Sequence, residues 1–105
     1  MTPNLRRVRT TRDSSFLKDM SQHRSNWVRF VVASNDHLPL PLMKRLVTDT
    51  NGLVRYKVAL RLADMYEHKK INLSGREMAK VAGVLESNSF AVLKRIRSLR
   101  NQRAK

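Results

Sequence analysis

Twenty-two Lys and Arg against eight Asp and Glu give this 105-residue chain a formal charge of +14, with 41% hydrophobic residues and no cysteine. That length fits one domain with a modest core, and the composition argues against wholesale disorder. The lack of Cys excludes a disulfide framework and a thiolate metal site, and no apolar run reaches the roughly 18–20 residues that span a bilayer.

Residues 1–12 hold Arg6, Arg7, Arg9 and Arg12, no acid and no sustained periodicity. They read as a flexible basic arm ahead of a single domain over 13–105. The arm has no apolar h-region, so it is not read as a secretory signal; its Arg- and Ser/Thr-rich makeup only faintly suggests a transit peptide. Asp13 or Ser14 caps a first helix with Phe16, Leu17 and Met20 at helical spacing. A second helix follows from Asn26 with Trp27, Val28, Val31 and Val32. "SNDHLPLP" is a connector whose prolines suit the start of the next helix. Leu42, Met43, Leu46 and Val47 make that third helix amphipathic. A fourth runs from about Leu53 to Tyr66 with Val54, Val58, Leu62 and Met65 inward. Ser74 and Glu77 form a capping box that opens a fifth helix bearing Met78, Val81, Val84 and Leu85. After the turn "ESNS", a sixth runs over about 90–103, from about Phe90, with Val92, Leu93, Ile96 and Leu99 inward. No segment alternates as a strand does. The expectation is all-α with five or six helices and one core that includes Trp27, Val28, Leu46, Val54, Val58, Leu62, Val81 and Ile96.

One phrase is written twice. A shift of 26 residues carries Phe16–Ala33 onto Leu42–Ala59. Lys18/Lys44, Val28/Val54, Arg29/Arg55, Val32/Val58 and Ala33/Ala59 are identical, and Phe16/Leu42, Leu17/Met43, Met20/Leu46, Trp27/Leu53 and Phe30/Tyr56 are apolar in both. A helix pair cannot bury its apolar face alone, whereas about three stacked pairs share a continuous core.

Ala33-Ser-Asn35-x-x-x-Pro39, then Met43, Leu46, Asp49 and Val54-Arg55-x-x-Val58-Ala59, resembles the leucine-rich repeat variant, a short relative of HEAT-type helical repeats. The match is best over about residues 16–60. The resemblance implies a short right-handed stack of helix pairs. It further implies an Asp in the turn between helices and an Arg early in the second helix of each pair, so Arg29, Asp49 and Arg55 are structural. In the first unit His23 stands at the Asp position. Such repeats serve as scaffolds, so the resemblance fixes architecture rather than activity.

Charge points to a partner. Ten of the fourteen net charges lie in 1–12 and 94–105, two acid-free ends. Ends like these suit a polyanion. The candidate nucleic-acid contacts are Arg6, Arg7, Arg9 and Arg12 in the arm, Arg61, Lys69 and Lys70 at and beyond the fourth helix, and Lys94, Arg95, Arg97, Arg100 and Arg103 on the last. Against these stand blander readings: a solvated tail, a mixed polar face, and a core role for Trp27, Phe30 and Tyr56 instead of base stacking. His23, His37 and His68 have no paired-ligand spacing, so no metal and no cofactor is expected. There is no phosphate-cradling Gly-rich loop and no nucleophile elbow, so the chain is not read as an enzyme. The first reading is a small basic nucleic-acid-binding protein, with duplex DNA ahead of RNA. The alternative is an adaptor on an acidic partner such as a polymerase, nuclease or ribosomal component, of the kind phages and mobile elements carry. The expected location is cytoplasmic, nucleoid-associated if DNA is bound.

Overall fold

The structure is a computed structural model and describes residues 3–87. Its helices are α1 (Leu5–Thr10), α2 (Ser14–Met20), α3 (Asn26–Ala33), α4 (Leu40–Leu46), α5 (Gly52–Glu67) and α6 (75–87). No strand occurs among the described residues. The chain is all-α, a small helical stack.

Local chemistry sets the boundaries. Asn4, Asp13, Ser25 and Asn51 each turn a side-chain oxygen onto first-turn amides of α1, α2, α3 and α5, groups that have no partner within the helix. Pro39 and Pro41 open α4, where a missing N–H costs nothing. At α6 the capping box closes in both directions: Ser74 N donates to Glu77 Oε1 at 2.8 Å, and Glu77 N donates to Ser74 Oγ at 3.1 Å. Helix α5 ends in a Schellman turn. Lys70 N donates to Met65 O and Lys69 N to Tyr66 O, with Lys69 left-handed at φ 59°. That conformation usually falls to Gly or Asn.

Helix α3 lies at the centre, packed between α1 and α5, with α2 against α3 and α4 against α5. The core runs through Val8, Leu17, Val32, Leu42, Leu46, Val54, Val58, Leu62 and Val81. Val28 is buried as well.

Two expectations are corrected. The first concerns residues 1–12. Residues 5–10 are helix α1, with Val8 fully buried. A helix this short is marginal alone; here it is held from outside. The buried Asn35 amide donates to Val8 O at 2.8 Å and Thr11 O at 3.0 Å, satisfying carbonyls at the end of α1. Arg7 also lies 4.2 Å over the Phe16 ring. The second concerns Trp27, which is 60% exposed. Val28, Arg29, Val32 and Ala33 take the inner face of α3, which turns Trp27 outward, where it stacks on Phe30 at 5.5 Å. Ile96 and the helix expected over 90–103 lie outside the described residues.

Candidate nucleic-acid interface

The repeated Val-Arg phrase places two arginines in one local geometry. Arg29 Nη1 donates to His23 O at 2.6 Å, and Arg55 Nη1 donates to Asp49 O at 2.7 Å. Each bond spans six residues back into the preceding turn. Each turn is closed alike: Ser25 N donates to His23 Nδ1 at 3.0 Å, and Asn51 N donates to Asp49 Oδ1 at 2.9 Å. His23 therefore does the turn-closing work of Asp49.

The arginines differ beyond that bond. Arg29 Nε meets Asp49 Oδ2 at 2.8 Å and its Nη2 meets Asp49 Oδ1 at 3.2 Å, a fork that crosses from one unit to the next. Its Nη2 also bonds Asn26 and Thr50. Both charged side chains of this pair are about one-tenth exposed. Arg55 is half-buried, and among the described residues it meets no carboxylate. The structural role expected for Arg29 and Asp49 is thus a link between units, with Arg29 rather than Arg55 holding the Asp49 carboxylate.

A second correspondence joins positions 35 and 61. As Asn35 holds carbonyls at the end of α1, Arg61 Nη1 holds those at the end of α3, Ala33 O at 2.7 Å and Asn35 O at 2.9 Å. Burial pushes the Arg61 guanidinium below the usual arginine range, and the Asp36 carboxylate opposes this. Arg61, expected among the phosphate contacts, is instead committed to backbone oxygens.

The other expected contacts distribute as follows. Arg6 and Arg9 are exposed and line a hollow of about 390 Å³ with Thr10, Ser34, Asp36 and His37. Arg7 is exposed but occupied by Phe16, and Arg12 is exposed between α1 and α2. Lys69 and Lys70 are exposed in the connector before α6. Lys94, Arg95, Arg97, Arg100 and Arg103 lie outside the described residues. Two groups escaped the sequence reading. Lys18 and Arg45 line a hollow of about 470 Å³ with Ser14 and Ser15; Arg55 and Lys80 line one of about 350 Å³ with Thr48 and Ser87. Each cation lies in a mixed segment, and only tertiary packing pairs Lys18 with Arg45 and Arg55 with Lys80.

Some of the acids are consumed internally. Asp13, Asp49 and Glu77 accept backbone N–H bonds at caps and turns. Glu77 also pairs with Lys44 at 2.8 Å. Lys44 and the Ser74 amide together hold the Glu77 carboxyl down at about 2. Sixteen of the Lys and Arg fall within residues 3–87, yet only Arg29 and Lys44 form ion pairs with carboxylates among the described residues. No cluster of three or more His, Cys, Asp or Glu suited to a metal occurs among them, and none of their helices is long and apolar enough to cross a membrane. The chain matches no family model, no curated protein and no solved structure.

Proposed function

We propose that the protein binds nucleic acid, with duplex DNA as the first substrate class, through phosphate contacts spread over a small helical stack. The observation that carries this reading is the excess of unpaired cations: sixteen Lys and Arg stand against eight acids in residues 3–87, four of those acids (Asp13, Asp49, Asp64 and Glu77) are engaged in caps, turns or ion pairs, and Arg6, Arg9, Arg12, Lys18, Arg45, Lys69, Lys70 and Lys80 are unpaired among the described residues. An array of unpaired cations on a folded surface gains free energy by releasing counterions from a phosphate backbone. The proposed units of the stack are α2–α3 and α4–α5, as the resemblance to short HEAT-like repeats implies. In this reading α1 presents Arg6 and Arg9 from a folded surface, and no catalytic role is assigned.

The test is binding of the full chain to labelled duplex DNA, single-stranded DNA and RNA over a salt series. With about six phosphates neutralised, log K falls against log salt with a slope near −5 on duplex DNA, at roughly −0.9 per contact. Flat binding across salt on all three would remove the reading.

One observation favours a second reading, an adaptor on an acidic protein. Ala63, Tyr66, Leu73, Met78, Val81 and Leu85 line an apolar groove between α5 and α6, and such patches mark protein contacts. Binding to an acidic partner that persists when nucleic acid is absent and fails to compete with it would move this reading to first place.

A further inference from the structure

The two units offer an internal standard for what their shared arginine holds. In the first unit the Arg29 fork is filled by the Asp49 carboxylate from the next turn. In the second, Arg55 spends one N–H on Asp49 O and meets no carboxylate among the described residues. Nor does the remaining sequence contain an acidic side chain to supply one: the last Asp or Glu is Glu86. The Arg55 side chain faces a hollow of about 350 Å³ whose lining includes Lys80, Thr48 and Ser87. Two cations thus line a space beside the arginine whose counterpart in the first unit holds a carboxylate.

We infer that Arg55 and Lys80 form an oxyanion site that takes a backbone phosphate of bound nucleic acid. The guanidinium fork matches two phosphate oxygens as it matches two carboxylate oxygens, and Lys adds a point charge beside it. The Ser87 hydroxyl is suited to donate to a remaining oxygen, whereas Thr48 Oγ1 already donates to Arg45 O. The assignment rests on the nucleic-acid reading above and deepens it by naming a contact outside the two basic ends.

The experiment compares the full chain with Arg55→Gln, Lys80→Gln and Arg76→Gln on one labelled duplex. The last removes an equal charge from the first turn of α6, at a residue that does not line the hollow. Each of the first two lowers the salt slope by about 0.9 and weakens binding roughly three- to tenfold at low salt, as one lost phosphate contact does; Arg76→Gln changes the slope by less than half as much. Arg55→Gln also loses the bond to Asp49 O, so its melting temperature is recorded. Lys80 makes no side-chain hydrogen bond or ion pair among the described residues, so its variant tests the site without that complication. If the intact chain binds DNA with a steep salt slope and both site variants keep it, the site is wrong and the function stands. If the intact chain binds no nucleic acid, both fall. If polyglutamate binds in an Arg55- and Lys80-dependent manner while DNA does not, the fork serves a protein carboxylate and the phosphate assignment is overturned.

Discussion

His23 and Asp49 occupy equivalent turns, each closing its loop on the amide two residues ahead and offering its carbonyl to an arginine six residues on. Only Asp49 also carries a charge, and that charge is taken by Arg29 of the other unit. The repeat therefore has two separable layers. One is a turn lock built from backbone groups, which any side chain with a suitably placed acceptor can complete. The other is a strut between units, which needs a carboxylate and a guanidinium together. Among the described residues the first unit has a filled fork and the second meets no carboxylate, so the same arginine has a charged partner in one and none in the other.

The strut is where the comparison breaks most visibly. Asp49→His keeps a turn acceptor like that of the first unit but strands the Arg29 guanidinium in a poorly hydrated site. A loss of about 3 kcal/mol is expected, the usual cost of removing one partner from a buried ion pair. Arg29→Ala should cost about as much, because it strands the carboxylate instead. Urea unfolding of both variants checks this, and DNA affinity of the folded fraction should change little. A loss under about 1 kcal/mol would place the pair in the range of solvent-exposed salt bridges.

Arg55→Ala sharpens the contrast. It removes one bond to Asp49 O from a half-exposed side chain and leaves no buried charge behind, so the expected loss is about 1 kcal/mol. If the two arginines cost equally, the difference between a filled and an open fork has no energetic meaning.

The repeat was legible in the sequence because its apolar positions recur at fixed register, and so were the capping box and most of the core. The strut between Arg29 and Asp49 was not legible, since no local pattern says which arginine reaches which acid. Positions 35 and 61 were not paired because Asn and Arg look unlike, although both use a side-chain N–H to hold carbonyls at a helix end. Helix α1 was missed because one buried valine makes no period, and its support comes from Asn35, distant in sequence. Trp27 was assigned to the core because helical spacing marks a stripe without fixing its edges. The Arg55 and Lys80 hollow needs α6 packed beside the α4–α5 turn, which no spacing along the chain reveals.

The Lys44–Glu77 pair tests how α6 attaches to the second unit. The Glu77 carboxyl is held at about 2, below its ordinary 4.5. A depressed carboxyl contributes stability that is complete above its unfolded value and is lost as pH falls toward its folded one. The contribution should therefore fade between about pH 5 and 2, and Glu77→Gln should lower stability across the neutral region and flatten the acid limb, so that the two curves converge as pH falls. Identical acid limbs in the two proteins would show that the pair does not persist in solution.

His23→Asp gives the smallest expected effect and the cleanest separation of the two layers. The new carboxylate can accept from Ser25 N as Asp49 accepts from Asn51 N, so the turn lock survives. The carbonyl at position 23 still serves Arg29. No strut forms, because shifting Arg29 back by 26 residues reaches Pro3, which has no guanidinium. Attraction to exposed Arg24 is screened by water and salt. The net change should stay within about 0.5 kcal/mol at neutral pH, the usual range for substitutions away from special features. Set beside about 3 kcal/mol for Asp49→His, this asymmetry would show that the exchange of His for Asp is permitted only where no arginine waits in the neighbouring unit. A loss above about 1.5 kcal/mol in His23→Asp would instead mean that the imidazole ring packs in a way a carboxylate cannot replace, and the two turns would no longer be equivalent.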